Sequence, residues 1–203
     1  MTGVGLPFWP IDDARITPVL SFLALDLLYY LVHRLEHAVP LLWRFHALHH
    51  SDPDVDVTTS VRHHPLETLI TSAIYWFAVL LLGIPAVVVE TRALTVFCTV
   101  ALQHGNIRLP EWLEHILQPV VITGEPHLVH HSVAYDDANA NFAAVVSIWD
   151  RIFGTYRRFP RARQERIVFG VCELPPRGCL SFFRMLLTLW LISRHLALEV
   201  TNS

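Results

Sequence analysis

The distribution of apolar residues predicts a chain dominated by helices of membrane-spanning length. The first apolar run covers residues 18–32, and Asp26 is its only charged residue. With its flanks this run reaches roughly 20 residues, enough to cross a hydrocarbon core of about 30 Å. A second run covers residues 66–82 and a third covers residues 85–103. The intervening "GIP" at residues 83–85 interrupts helical structure, so runs two and three are predicted to form a transmembrane hairpin.

Two further segments are predicted to lie at the membrane surface. Residues 110–122 are too short to span a bilayer. Residues 180–198 contain Arg184, Arg194 and His195, so we expect an amphipathic interfacial helix, with a further span as the alternative. The whole pattern predicts an all-α integral membrane protein that forms one domain over residues 1–203.

The composition supports a membrane protein and excludes several other classes. Hydrophobic residues make up 53% of the 203 residues and charged residues only 16%, against about a quarter in soluble domains. The net charge of −3 and the absence of a basic patch argue against a nucleic-acid partner. Three cysteines without a CxxC motif argue against a disulfide scaffold or a zinc ribbon. Every basic residue is arginine, which is typical of GC-rich genomes and favours a bacterial inner-membrane protein.

The arginines also predict the orientation of the helices. Residues 151–166 are rich in arginine, and Arg34, Arg44 and Arg62 flank the first group of histidines. Short loops with excess positive charge remain in the cytoplasm. The end of the first helix, the start of the second and the end of the third should therefore lie at the cytoplasmic face, and the turn at Gly83 should lie outside.

Histidines concentrate at the ends of the predicted helices that share this face. One HxxxH pair consists of His33 and His37. Two HxxHH triplets follow, and their members are His46, His49 and His50, and His127, His130 and His131. A single histidine, His104, follows the third apolar run. In a helix each triplet presents three imidazoles to one side, and the adjacent pair can reach two different ions. Nine nitrogen ligands are too many for one metal ion and suit two.

The spacing alone leaves the metal and the chemistry open. Imidazole suits zinc, copper, iron and nickel, and no HExxH motif is present. Four classes remain: a two-metal enzyme of dioxygen chemistry, a haem-binding electron-transfer protein, a zinc-dependent membrane hydrolase, and a non-catalytic membrane subunit. Of His63 and His64, one is expected to bind metal or to support a ligand. His115 and His195 have no partner that would form a cluster and are expected to be dispensable.

Four motifs resemble the fatty acid hydroxylase/sterol desaturase superfamily. They are "WRFHALHHSDPDVDVTTSVRHHPLE" at residues 43–67, "QHGN" at residues 103–106, "HLVHHS" at residues 127–132 and "NFAAVVSIWDRIFGTY" at residues 141–156. Their order is also that of the superfamily, and the likeness covers about residues 20–170.

The resemblance implies a membrane histidine-box di-iron oxygenase with its active site on the cytoplasmic face. Such enzymes use dioxygen to hydroxylate or desaturate a lipid C–H bond, and a reductase or small redox carrier supplies the electrons. Two iron ions are the implied cofactor, although zinc can replace them in purified protein. The nine histidines above would be the ligands, with no further catalytic residue implied. His64 is a possible ligand or supporting residue, Arg62 and Glu67 would fix the loop, and Asp150 and Arg151 would be structural.

The resemblance leaves the substrate open, among sterols, carotenoids, fatty acyl chains, sphingolipids and ether lipids. Four aromatic residues either line the path of the lipid or face the surrounding bilayer: Tyr29, Tyr30, Trp76 and Phe77. Ala143 stands where the superfamily usually has glycine, so local packing is expected to differ there. Relatives commonly carry one or two additional upstream helices, which leaves three alternatives open: a shortened protein, a truncated gene model or a reduced member of the superfamily.

Overall fold

The computed structural model describes residues 15–171, and the regular secondary structure within that range is helical, without a β-strand. Its helices are α1 (Ile16–Ala38), α2 (Pro40–His50), α3 (Pro65–Leu82), α4 (Ala86–His104), α5 (Glu111–Leu117), α6 (Gly124–His130), α7 (Tyr135–Ala138), α8 (Ile148–Ile152) and α9 (Arg161–Gln164). A 3-10 turn at Thr59–Val61 precedes α3. The predicted helix at 180–198 and His195 lie outside the described residues.

Three of these helices, α1, α3 and α4, are long and apolar enough to cross a membrane, with 23, 18 and 19 residues. Large apolar side chains point outward from α3 and α4; Phe77 is 66% exposed and Phe97 is 70% exposed. An apolar surface of this kind is stable against lipid and unfavourable in water. The three runs predicted from hydropathy are therefore confirmed as helices, with bounds that shift by only a few residues.

A tight turn joins α3 to α4, as the sequence predicted. Gly83 has a φ of +61°, a left-handed conformation that glycine adopts without steric cost. Its N–H donates to the carbonyl of Leu80, and the N–H of Ile84 donates to that of Val79. These bonds satisfy carbonyls that the end of α3 would otherwise leave unpaired. Pro85 then precedes α4.

A sharp break between α1 and α2 folds the two histidine-bearing helices against each other. Val39 has extended backbone geometry, and Pro40 occupies the first position of α2. The two helices consequently pack side by side. This brings the HxxxH pair at the end of α1 next to the first HxxHH triplet.

The short helices α5 to α9 and their connections, here called the cap, pack against α1 and α4. Asp26, in α1, ties this cap down, because its Oδ2 accepts hydrogen bonds from Trp149 Nε1 at 3.0 Å and from the N–H of Val146 at 3.1 Å. Tyr30, one turn further along α1, packs against Phe142 and Ala143 of the cap. The cap therefore has a fixed position above α1.

Candidate metal centre

All nine predicted histidines converge in space, in two adjacent groups. The ligand nitrogens within each group lie within 4.8 Å of one another. The first group has five members: His33, His37, His46, His50 and His130. The second group has four: His49, His104, His127 and His131. The adjacent histidines of each HxxHH triplet divide between the two groups, which the sequence analysis predicted.

Four elements supply these side chains. They are the end of α1, the second half of α2, the end of α4, and α6 with the residue that follows it. Eight of the nine imidazoles are buried, and His37 is half-buried. His50 joins the groups, because its ring centroid lies 4.6 Å from that of His130 and 4.6 Å from that of His131.

Backbone carbonyls orient several of the rings. Nδ1 of His33 lies 2.8 Å from the carbonyl oxygen of Phe142, and Nδ1 of His130 lies 2.8 Å from that of Ala140. Nδ1 of His104 likewise lies 2.8 Å from the carbonyl oxygen of Val100, one turn earlier in α4. A carbonyl oxygen only accepts, so each Nδ1 must carry the hydrogen. In the neutral imidazole Nε2 then has a bare lone pair.

In the first group these bare nitrogens face one another at short range. Nε2 of His33 lies 3.0 Å from Nε2 of His130 and 3.1 Å from Nε2 of His46. In the second group the Nε2 atoms of His104, His127 and His131 form a triangle with sides of 3.0, 3.1 and 3.1 Å.

Two bare nitrogens at this distance, such as those of His33 and His130, repel unless a cation lies between them. Metal–imidazole bonds of about 2.0–2.1 Å at right angles would separate neighbouring nitrogens by about 3 Å. The spacing in both groups therefore fits the edge of a coordination shell. The donor set, all imidazole, is one that iron and zinc both accept.

The buried histidines favour the neutral form that binds metal. Burial lowers the pKa of His130 to about 3, and neighbouring imidazoles add to the effect. Burial also holds the pKa of His49, His50, His127 and His131 well below the usual range. A neutral imidazole is the ligating form, so these nitrogens need not lose a proton before binding.

Glu67 is a carboxylate that bonds directly to a site histidine, and Glu36 lies 3.7 Å from the same imidazole. Oε1 of Glu67 accepts from Nδ1 of His46 at 2.9 Å and from Nδ1 of His63 at 2.8 Å. Burial lowers the pKa of His46, but the Glu67 carboxylate outweighs burial and the net shift is upward. His63 stacks on His49 with ring centroids 4.7 Å apart. Residue spacing alone gave no signal for the bridge from His46 to His63.

Within the described residues, His64 belongs to neither of the two histidine groups. It caps α3, since its Nδ1 accepts from the N–H of Leu66 at 3.1 Å and its own N–H donates to Glu67. Arg62 pairs with Asp52 at 3.2 Å. Both contacts fix the loop between α2 and α3, as the resemblance implied.

Asp150 fixes the loop that orients His33. Its carboxylate accepts from the N–H groups of Phe142 at 2.8 Å and Ala143 at 3.1 Å, and from Thr155 Oγ1 at 2.7 Å. Phe142 in turn offers its carbonyl to His33. The structural role predicted for Asp150 thus includes holding a site residue in place. Ala143 is buried without disrupting this arrangement.

Asn141 is a positioning residue that the sequence analysis missed. It adopts a left-handed φ of +57°, and its Nδ2 donates to the carbonyls of Pro126 and Arg157. These bonds connect α6, which carries two site histidines and is followed directly by a third, to the chain after α8. Arg151, predicted to be structural, donates to the carbonyl of Gln118.

A cavity of about 190 Å³ reaches His33 and His46 from between α1 and α3. Tyr29 lines it, as one alternative predicted. Trp76 and Phe77 point outward instead, with 53% and 66% of their surfaces exposed. Tyr30 serves neither role, because it is fully buried and bonds to Thr155 at 2.9 Å.

His115 stands apart from both groups. It is exposed, and its Nδ1 contacts the carbonyl of Glu111 within its own short helix at 2.6 Å. The sequence-based distinction between clustered and solitary histidines therefore holds for this residue.

The fold and the site define a helical membrane-type protein with two adjacent polyhistidine clusters shaped for metal. More particularly, the chain belongs to the fatty acid hydroxylase family, whose sequence profile matches residues 18–155. No solved structure gives a significant match.

Several characterised proteins are similar to this chain. An ornithine lipid hydroxylase of Rhizobium tropici is 33% identical over 176 residues, which cover 86% of this chain and 51% of the relative. An alkylglycerol monooxygenase of Homo sapiens is 32% identical over 159 residues, covering 78% of this chain and 34% of the relative. A very-long-chain aldehyde decarbonylase of Oryza sativa is 26% identical over 183 residues, which cover 84% of this chain and 28% of the relative. The chain thus spans about half or less of the length of these relatives.

Proposed function

We propose that this protein is a membrane lipid oxygenase that binds two iron ions and uses dioxygen to hydroxylate or desaturate a lipid C–H bond. The observation that carries the proposal is the set of Nε2 atoms that face one another about 3 Å apart in two buried groups. The names of the similar proteins, a lipid hydroxylase and a lipid monooxygenase, agree with this chemistry.

The two groups divide the proposed ligands between two ions. His33, His37, His46, His50 and His130 would hold one ion, and His49, His104, His127 and His131 would hold the other. When bound, the two iron ions supply dioxygen reduction and C–H oxidation. His64 has the supporting role, since it caps α3 and fixes Glu67 relative to His46.

The protein itself positions the ligands and the lipid. Carbonyls of Phe142, Ala140 and Val100 hold three rings so that Nε2 faces the site, and Glu67 does the same for His46. Burial of the imidazoles keeps water from the reacting centre. The cavity between α1 and α3 gives a lipid tail access to His33 from the membrane.

The remaining features of the proposal concern the membrane and the electron donor. The arginine-rich segment 151–166 follows Asp150 of α8, and its positive charge supports a site at the cytoplasmic face of a bacterial inner membrane. A reductase or small redox carrier would deliver electrons there. We propose that residues 1–203 act as one domain.

The direct test is mass spectrometry of lipids from cells with and without the gene, followed by assays of the purified protein. We expect a lipid whose mass rises by one oxygen or falls by two hydrogens, and turnover that requires iron, dioxygen and a reductant. Equal turnover under anaerobic conditions with zinc would instead identify a hydrolase. A haem absorption band that accounts for the bound iron would also contradict the proposal.

A further inference from the structure

One face of α1 is attached to the cap through three buried side chains. They are Asp26, Tyr30 and His33, and their spacing of four and three residues places them on one side of the helix. All three bond to residues 142–155 of the cap. The histidine on this face therefore shares its attachment to the cap with a carboxylate two turns away.

The contacts of Asp26 and His33 with the cap lie close together along the chain. Oδ2 of Asp26 accepts from the N–H of Val146 at 3.1 Å and from Nε1 of Trp149 at 3.0 Å. Nδ1 of His33 donates to the carbonyl of Phe142, four residues before Val146. Four residues reach at most about 14 Å, and seven residues of helix cover about 10 Å, so the connection has little slack. The bond from Val146 to Asp26 thus limits where the Phe142 carbonyl can lie.

This attachment differs from the one that Asp150 provides. Asp150 bonds to the N–H groups of Phe142 and Ala143, so it shapes the loop within the cap. Asp26 belongs to α1, and its bonds fix the cap relative to the helix that carries His33. The hydrogen bond from His33 to Phe142 crosses from α1 to the cap, so it depends on both carboxylates.

Arg92 of α4 compensates the charge of Asp26. Its Nη2 lies 3.8 Å from Oδ1 of Asp26, and both residues are buried. The rings of Tyr29 and Tyr75 hold the guanidinium, whose central carbon lies 5.8 Å and 5.4 Å from their centroids. A guanidinium within about 6 Å of an aromatic face is attracted to it. Arg92 is therefore held beside the carboxylate.

An ion pair between two helices of membrane-spanning length is costly and indicates a function. Charged side chains in such helices are rare and usually functional. A carboxylate makes charge-assisted hydrogen bonds, so Asp26 holds the cap more firmly than a neutral acceptor would. A buried charge that loses its partner is strongly destabilising. Arg92 thus allows a carboxylate to hold the cap at this depth.

We propose that Asp26 and Arg92 are positioning residues of the metal centre and act through His33. The inference rests on the proposed function, because it takes His33 as a metal ligand. Neither residue belongs to the two histidine groups, and only the first group contains His33. The pair should therefore affect the ion of the first group and leave the ion of the second group unchanged.

Cobalt binding to the protein in lipid nanodiscs tests the inference without turnover. The probe is Co²⁺, because its visible absorption reports the geometry of its ligands. Arg92→Met leaves Asp26 without its partner, so it should change the absorption of one of the two Co²⁺ sites and weaken that site by roughly 10-fold. The other site should keep its affinity and spectrum. The matched control is Glu90→Gln, which removes an exposed charge from the same helix and should change neither site.

Second substitutions separate positioning from stability. Asp26→Asn added to Arg92→Met removes the unpaired charge and keeps an oxygen that accepts from the cap, so the first site should recover to within about threefold of the unaltered protein. Asp26→Leu added to Arg92→Met removes the oxygen as well. Apolar replacement of a buried ion pair commonly preserves folding, so this variant decides the matter even if Arg92→Met folds poorly. Its first site should remain weak. Equal Co²⁺ binding in the two double variants would overturn the inference, as would equal weakening of both sites.

Hydrogen exchange of the metal-free protein gives a second readout. The Val146 amide should exchange faster in Arg92→Met and in Asp26→Leu/Arg92→Met, and protection should return in Asp26→Asn/Arg92→Met. Equal protection of this amide in all variants would contradict the attachment.

The outcome for the pair is separate from the outcome for the proposed reaction. Selective weakening of one Co²⁺ site in a protein that oxidises no lipid would support the positioning role and remove the oxygenase proposal. Oxidation of lipids by a protein whose variants all bind Co²⁺ equally would do the reverse.

Discussion

His33 and His130 are 97 residues apart in the chain, yet their Nε2 atoms lie 3.0 Å apart in the structure. Each ring contacts a backbone carbonyl through Nδ1, so neither Nε2 carries a hydrogen when the ring is neutral. Two buried lone pairs at that distance are unfavourable without a cation. The relationship predicts that metal binding and the packing of α1 against α6 depend on each other.

Replacement of His130 should distinguish ligands from other histidines. Loss of a residue that only supports a metal ligand weakens metal binding by roughly 10- to 100-fold. His130→Ala should weaken iron binding by at least that much, because it removes a proposed ligating nitrogen itself. His115→Ala should leave bound iron unchanged, since His115 is exposed and outside both groups. The measurement is iron per purified chain at matched expression. Loss of iron from His115→Ala but not from His130→Ala would refute the assignment.

Asp150 should affect the metal without touching it. In Asp150→Asn one side-chain oxygen is replaced by an NH₂ group, which cannot accept from the N–H of Phe142 or Ala143. The Phe142 carbonyl should then hold His33 less well, and iron affinity should fall by roughly 10- to 100-fold. The exposed neighbour Asp136→Asn is the matched control. Competition with a chelator measures the affinity, and equal values for both variants would contradict the link.

Glu67 should matter through its contacts with two imidazoles. The amide of Glu67→Gln retains only one accepting oxygen, so it cannot reproduce the bonds to His46, His63 and the N–H of His64 together. We expect iron affinity to fall by roughly 10- to 100-fold while the helical content stays constant. Circular dichroism and iron titration provide the two readouts. Glu90→Gln, on the exposed side of α4, should retain full affinity.

The proposed orientation in the membrane can be tested with cysteines. Val61, which is 78% exposed, precedes α3 on the side of the histidines, and Ala86 is exposed at the opposite turn. In a protein without its three native cysteines, Val61→Cys should react with an impermeant maleimide only after the cytoplasmic side is opened. Ala86→Cys should react in intact spheroplasts. The reverse pattern would invert the topology.

Much of the fold was predictable because its signals are local. The apolar runs and the "GIP" break gave α1, α3 and α4, since helix length and chain reversal depend on adjacent residues. The three histidine motifs gave the metal-binding faces, because residues three and four apart share one side of a helix. The common location of those faces followed from the alternating direction of the spans.

The interior arrangement was decided only by tertiary structure. The sequence did not indicate that Tyr30 would be buried under the cap while Tyr29 lines the cavity, although the two residues are adjacent. The bridge from Glu67 to His46, the support of His33 by Asp150, and the pairing of Arg92 with Asp26 join segments far apart in the chain. Local periodicity gives the face on which a side chain lies, whereas its partner depends on how distant segments pack, and that packing follows from the burial of the whole chain.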